Sequence, residues 1–297
     1  MIDLHTHSNH SDGFLTPQEL LIKALSINLE ALALTDHDAI TGSLELLSLS
    51  KNKNIQIVTG SELSVYYPNT DIEIIALNIP KKNLSQFKAH QDSEIKRRKE
   101  LTLQRLEALQ KLGYNITFED IAYDDKGNLR TQVRRPHFAD ALLKKGYIPD
   151  TQTAYTTIFA KNSPAHIEDR PKDAKEIIEF IKDNKATAIL AHPIHTKKDP
   201  KDLYNLISEL KSYGLDGIEI FHSSQKTKER KLYLNIIKDL HLICSGGSDF
   251  HGGTAHPKNK LGTGKRRNLN IPYFVLEKIC TKSKITDSYY DELEKYI

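Results

Sequence analysis

The sequence has little that would mark a secreted, membrane-spanning or purely adhesive protein. Among its 297 residues there are two cysteines, Cys244 and Cys280. Such a pair makes no disulfide framework, and both read as free thiols in a reducing compartment. Cys244 follows Leu242-Ile243 in an apolar run, which predicts a buried, inert thiol rather than a nucleophile. No stretch of about 18 consecutive apolar residues occurs, so no membrane-spanning helix is expected. The opening Met1-Ile2-Asp3-Leu4-His5 lacks the basic start and apolar stretch of a secretory signal, and a cytoplasmic location is expected. There is no internal repeat, no low-complexity segment and no obligate protein partner in evidence. A dense basic and aromatic surface motif, the mark of nucleic-acid binding without chemistry, is also missing.

What is present describes a globular chain. Hydrophobic residues make up 38% and charged residues 27%, and the length suits one large domain or a barrel with an inserted lobe. The net charge of +3 fits an anionic substrate without demanding one. Basic clusters stand at Lys96-Arg97-Arg98-Lys99, Arg134-Arg135 and Lys265-Arg266-Arg267. The first lies in a long charged helical pattern and reads as a solvated face.

Short β-branched-rich runs are predicted as strands near 2–5, 31–35, 55–59, 72–78, 187–191, 216–221 and 242–246. Helical patterns at 17–28, 42–51, 173–184, 201–213 and 226–239 separate most of them. This alternation predicts a parallel α/β fold. Thr16, Pro17 and Glu19 form a strong helix start, with cap, first-turn proline and capping box. Residues 81–165 break the rhythm with helical patterns at 84–112, 117–123 and 136–145. They are expected to form a helical insertion (lid/substrate) lobe between barrel strands 4 and 5, in a barrel made of 1–80 and 166–297.

The chemistry-bearing residues fall at the expected strand ends, where parallel barrels build their active sites. His5 and His7 end the first strand, and i, i+2 residues on a strand share a face. Asp12 sits in Ser11-Asp12-Gly13, where Gly13 permits a tight turn. Asp36-His37-Asp38, Gly60-Ser61-Glu62, Ala191-His192-Pro193 and Gly247-Ser248-Asp249-Phe250-His251 add carboxylates and imidazoles. This nitrogen and oxygen donor set suits two or three divalent ions of Mn, Fe or Zn.

These segments, together with Asp3-Leu4-His5-Thr6-His7 and Leu34-Thr35-Asp36-His37-Asp38, resemble the PHP family, named for its polymerase-associated and histidinol-phosphatase members. Arg135-Pro136-His137-Phe138-Ala139 resembles the Arg-Thr-His-Phe-Ala of the branch that hydrolyses nucleoside 3′,5′-bisphosphates and trims short RNA from its 5′ end. The resemblance implies a distorted (β/α)7 barrel, a helical insert over its mouth and a metal-dependent phosphoesterase acting on a nucleotide or short RNA. It implies one ion on His5, His7, Glu62 and Asp249, a second on Glu62 and His192, and a third on Asp12, His37 and His251. Two positions depart from the branch. Glu73 stands where it usually has a histidine ligand, and either binds metal through oxygen or leaves the second ion short of a donor. His195 stands where it usually has arginine, which weakens or retunes the phosphate grip.

In the expected reaction, activated water attacks phosphorus in line with the leaving oxygen. Arg135 is the candidate grip for a second phosphate. His222 is a candidate proton donor or phosphate contact. His137 is a substrate contact or a helix cap, with substrate preferred. His166 and Arg170 are lesser candidates for substrate contact. Asp38 and Glu219 are expected to orient ligand histidines, and Tyr66 and Tyr67 to pack rather than stack on a base. Other readings stay open. One is a histidinol-phosphate or other small-molecule phosphatase, another a metal amidohydrolase, whose bridging mid-barrel lysine is missing from 55–78. The third is a catalytically degenerate nucleotide-binding protein, kept alive by Glu73.

Overall fold

The computed structural model describes residues 1–123, 127–130, 133–168, 170–253 and 258–297. They divide into two compact units, Met1–Lys88 with Pro171–Ile297, and Ala89–Arg170.

The first unit is a distorted, nearly closed barrel. Seven strands lie in sequence order: β1 (Ile2–Asp3), β2 (Ala31–Leu34), β3 (Gln56–Tyr67), β4 (Thr70–Leu77), β5 (Thr187–Leu190), β6 (Gly217–His222) and β7 (Ile243–Gly247). Helices α1 (Pro17–Ser26) and α2 (Thr41–Leu49) follow β1 and β2. The capping box at Thr16 is formed: its hydroxyl accepts the Glu19 N–H at 3.2 Å, and the Glu19 carboxylate accepts the Thr16 N–H at 2.8 Å. The chain nearly closes between β7 and β1. The Leu4 N–H donates to the Gly246 carbonyl at 3.2 Å, the Asp249 N–H to His5 at 2.8 Å and the His7 N–H to Phe250 at 2.9 Å.

Parallel pairing holds for β1–β2–β3 and β5–β6–β7, but β4 runs antiparallel to both neighbours. The expected parallel α/β fold is therefore met with one strand reversed. The cause is local. β3 and β4 are joined by Pro68-Asn69 alone, with Asn69 at φ +61°. A parallel crossover needs a dozen or more residues, whereas a two-residue link closes a hairpin. β3 also runs well past the predicted end at 59, so Glu62 lies within the strand rather than after it.

The remaining helices of this unit are α7 (Ala174–Asp183), α8 (Pro200–Ser212), α9 (Thr227–Asp239), α10 (Tyr273–Thr281) and α11 (Asp287–Glu294), numbered after those of the second unit. Ile177, Ile181, Leu206, Leu210, Tyr233 and Ile237 from α7–α9 bury against Ile74, Ile189 and Ile218 of the strands. Removing this apolar surface from water supplies the main drive for the fold. Cys244 is buried there, and burial pushes its thiol far up from its ordinary value. The last two helices were not read from sequence; α10 buries Val275, Leu276 and Ile279, and α11 buries Tyr289, Tyr290 and Leu293. Tyr290 of α11 donates to the Ile237 and Leu242 carbonyls at 3.0 and 3.1 Å and so pins α11 to the end of α9 and the start of β7. A short hairpin, β8 (Asn259–Lys260) and β9 (Gly264–Lys265), follows the last barrel strand.

Most of α3 (Leu84–Lys111) lies in the second unit, with α4 (Phe118–Ala122), α5 (Arg135–Lys144) and α6 (Thr151–Thr153), which runs into a π turn at Ala154–Ile158. Its core gathers Leu109, Ile116, Ile121, Phe138, Leu142 and Phe159. The solvated face expected at 96–99 is corrected at Arg98, which is 7% exposed. Neighbouring Arg97 pairs with Glu94 at 2.7 Å.

A Cβ at Gly247 would overlap the Cβ and backbone nitrogen of His5. Gly247→Ala must therefore push β7 from β1 and displace His5. We expect a loss of about 1–3 kcal/mol, as for other overpacked sites, read as a lower thermal midpoint with less bound metal. A midpoint and metal content equal to the parent's would contradict this packing.

Candidate metal centre

Each predicted donor in the barrel reaches one pocket because a backbone constraint sends it there. His5 and His7 leave the end of β1 on one face. Glu62 and Glu73 are diagonal neighbours across the β3–β4 hairpin, where Ser64 pairs with Glu73. His192 follows β5 at φ +26°, and Asp249 follows β7 at φ +55°. Non-glycine residues hold such conformations at a cost of about 1–3 kcal/mol and cluster at functional sites.

The donor atoms form four overlapping groups, each with all atoms within 4.8 Å of one another: His7, Asp12, His37 and His251; His5, Glu62 and His192; His5, His7 and Asp249; His37, Glu62 and Glu73. Glu62 is the hub. Its Oε2 lies 3.3 Å from His5 Nε2, 3.3 Å from His7 Nε2 and 3.1 Å from His37 Nδ1, and its Oε1 lies 3.0 Å from His192 Nε2. Asp249 Oδ1 lies 3.3 Å from His7 Nε2, and Asp12 Oδ1 lies 3.3 Å from His251 Nε2. Glu73 belongs to the cluster: its oxygens stand 3.1 Å from His37 Nδ1 and 3.3 Å from His192 Nε2.

Two features fit these residues to cations. Glu62 Oε2 and His7 Nδ1 are buried without a hydrogen-bond partner among the described residues. Such orphans are costly unless something else binds them. His5 Nε2 and His7 Nε2 also face each other at 3.1 Å, an arrangement suited to two lone pairs sharing one ion.

Electrostatics point the same way. Burial opposes ionisation of Glu62, yet His5 and His37 hold its carboxyl well below the usual carboxylate range. Burial likewise opposes charge on Asp12 and Asp249, and neighbouring imidazoles pull both down. On His5, Glu62 and Glu219 override burial and raise the imidazole well above its ordinary value. On His192, Glu62 and Glu73 do the same. His251 is raised to about 10 by Asp12 and Asp249 against its burial. The carboxylates stay ionised and draw positive charge into the pocket.

A surrounding layer fixes the donors. Glu219 accepts from His5 Nδ1 at 3.0 Å and from the His192 backbone N–H at 2.7 Å, so one carboxylate sets two donors. Asp38 accepts from the Ser64 N–H and hydroxyl at 2.8 and 2.9 Å and so braces β3. Asp36 is fully buried and accepts from the Ser8 N–H, Ser8 Oγ and Ser11 Oγ, each at 2.7 Å, shaping the loop that carries Asp12. Asp3, not singled out from sequence, accepts the Ser248 and Gly262 N–H groups at 2.8 Å each. Its place two residues before His5, at the end of β1, was the available signal.

His195 and His222 adjoin the cluster, with ring centroids 4.9 and 5.5 Å from His192. His222 Nδ1 accepts the Ser224 N–H at 3.2 Å, which leaves the ring proton on Nε2, 3.5 Å from Asp249 Oδ2. Arg135, His137, His166 and Arg170 belong to the second unit. Arg135 is exposed at the start of α5. His137 is buried and its Nδ1 accepts the Arg134 N–H at 3.0 Å, so that nitrogen caps α5. His166 Nδ1 meets the Phe159 carbonyl at 3.2 Å. Tyr67 donates to Glu209 at 2.5 Å, consistent with packing.

The sequence and fold match known proteins across most of the chain. A family model described as PHP domain matches residues 3–190. A 5′-3′ exoribonuclease of Haemophilus influenzae is 31% identical over 250 residues, 84% of this chain and 89% of that protein. A phosphoribosyl 1,2-cyclic phosphate 1,2-diphosphodiesterase of Eggerthella lenta is 28% identical over 84% of this chain and 94% of its own length. A 3′,5′-nucleoside bisphosphate phosphatase of Chromobacterium violaceum is 27% identical over 84% and 87%. Among solved structures, a Bifidobacterium adolescentis protein designated a proposed metal-dependent phosphoesterase shares the fold at a TM-score of 0.79, with 24% identity and 97% of each chain covered.

Because His5, His192 and His251 are raised, cations entering the pocket must displace protons. Affinity of the metal-free protein for Mn²⁺ or Zn²⁺ should rise from pH 6 to pH 8, with proton release. Calorimetry in buffers of different ionisation enthalpy reads this, and pH-independent binding without proton release would count against the assignment. Metal content should also fall in Glu73→Ala, and an unchanged stoichiometry would show Glu73 to be a bystander.

Proposed function

The chain belongs to the PHP domain family, and from that premise we propose that it is a metal-dependent phosphoesterase of nucleotides. Its substrates in this reading are the 3′-phosphate of nucleoside 3′,5′-bisphosphates and the 5′ end of short RNA. The observation that carries the reading is the buried Glu62 carboxylate set among His5, His7, His37 and His192.

In this reading His5, His7, Glu62 and Asp249 hold one ion, Glu62, Glu73 and His192 a second, and Asp12, His37 and His251 a third. Two or three divalent ions of the Mn, Fe or Zn class suit these donors. When bound, they supply an activated water near neutral pH and offset negative charge growing on the phosphoryl oxygens. The rest is done by the chain. Glu219 holds the His5 ring so that Nε2 faces Glu62. His222, with its proton on Nε2, is placed to donate to the leaving oxygen or to a phosphoryl oxygen. His195 is pushed below its ordinary value by partial burial and by His192 and His222. It is therefore neutral near pH 7 and grips phosphate by hydrogen bonding rather than charge. Glu73 supports turnover over a degenerate, binding-only role, since its carboxylate stays within reach of His37 and His192.

The test begins with metal-free protein. Restoring Mn²⁺ should restore phosphate release from 3′-phosphoadenosine 5′-phosphate, and Asp249→Ala should abolish it. Glu219→Gln should lose about 10–100-fold in metal affinity or activity. Release that survives chelation and Asp249→Ala would end the proposal. Turnover of histidinol phosphate or a ribosyl cyclic phosphate, with none of the bisphosphate, would move it to another substrate.

A further inference from the structure

The Lys265-Arg266-Arg267 cluster has no part in the chemistry above, yet the structure anchors it beside the pocket. It leaves β9 of the small hairpin that follows the Asp249 loop. Asn259 Nδ2 on β8 donates to the Ser248 and Asp249 carbonyls at 2.6 and 2.9 Å. On the other side of the hairpin, Lys265 Nζ donates to Ser224 Oγ at 3.0 Å and Asn268 Nδ2 to the Ser223 carbonyl at 2.9 Å. Ser223 Oγ in turn meets the Ser248 carbonyl and Asn259 Oδ1 at 2.7 Å each. The basic turn is thus tied to the loops that carry His222 and Asp249.

Two further observations distinguish this turn from an ordinary solvated one. Arg266 and Arg267 both adopt left-handed backbone, at φ +55° and +59°, although glycine or asparagine would hold that conformation at less cost. All three basic side chains are exposed, and none makes an ion pair among the described residues. The exposed Lys226 and Lys228 stand two and four residues past Ser224, at the start of α9. The one acid of that first turn, Glu229, uses its Oε2 to accept the Lys226 N–H at 2.9 Å. A cationic rim with left-handed backbone, tethered to both loops and without an ion-pair partner among the described residues, suits a ligand with phosphates beyond the reacting one.

We propose that the Lys265–Arg267 turn is a phosphate-binding site for the backbone of a single RNA strand whose 5′ end occupies the metal centre. The site rests on the nucleotide reading above and separates oligonucleotides from mononucleotides. In this proposal a nucleoside bisphosphate, which has no further backbone phosphates, does not use it.

The test compares the metal-loaded parent with Arg266→Asn/Arg267→Asn, which removes both charges while keeping residues that tolerate left-handed backbone. A charge-keeping Arg266→Lys/Arg267→Lys protein and thermal midpoints serve as controls. The substrates are 3′-phosphoadenosine 5′-phosphate and a 5′-phosphorylated, 3′-fluorescein-labelled RNA pentamer. We expect the asparagine protein to raise KM for the pentamer about tenfold, leave the bisphosphate unchanged, and flatten the log–log salt dependence of pentamer binding by about 0.7 per lost phosphate contact. The lysine protein should stay near the parent. Equal effects on both substrates, or none on the pentamer, would overturn the site while leaving the phosphoesterase reading intact. Should the parent turn over neither substrate, the nucleotide reading fails, and anisotropy of the uncut pentamer decides the site alone. Weaker binding by the asparagine protein supports it, and equal binding overturns it.

Discussion

A carboxylate with almost no exposed surface organises this molecule. Glu62 lies in the middle of β3, and an isolated buried charge would be prohibitively costly. Its compensation comes from imidazoles delivered by β1, the loop after β2 and the loop after β5. Those imidazoles are in turn balanced by Asp12, Asp249, Glu73 and Glu219. The acids and imidazoles offset one another's charge only as a set, since each acid is within reach of at least one imidazole. The pocket is negative enough to retain protons on several histidines, and a cation of higher charge answers the same demand with fixed geometry.

The barrel's departures from regularity serve that arrangement. A parallel β4 would carry Glu73 away from Glu62; the hairpin sets them on one face, two residues out of register. Asp38 then braces Ser64, the residue paired with Glu73, so the side chains of both acids stand on a fixed strand pair. The tight approach of β7 to β1 at Gly247 similarly brings Asp249 against His5 and His7. Strain at His192 and Asp249 is compatible with this design, since the surrounding hydrogen bonds determine where each backbone must go.

Much of this was legible in the sequence, for identifiable reasons. Strand–helix alternation and the capping box at Thr16 gave the barrel and most helix bounds, and the recurrence of His, Asp and Glu at strand ends gave the donors. What escaped was non-local. Glu62 was placed after a strand because the polar run Thr59-Gly60-Ser61-Glu62 masks the period of a strand that lines a polar pocket. The reversal of β4 was hidden in two residues, Pro68-Asn69. The roles of Asp3 and Asp36 depend on backbone groups distant in sequence. For His137, the cap was one of the two readings the sequence allowed. The second carboxylate at Glu73 was visible, but its place beside His37 and His192 was not.

The account is tested most directly by diffraction from metal-loaded crystals collected above and below the metal's absorption edge. It predicts anomalous peaks about 2.0–2.2 Å from the carboxylate oxygens of Glu62, at bonding distance from imidazole nitrogens on both sides of it. A fully loaded crystal with no ion bound to Glu62 would contradict it.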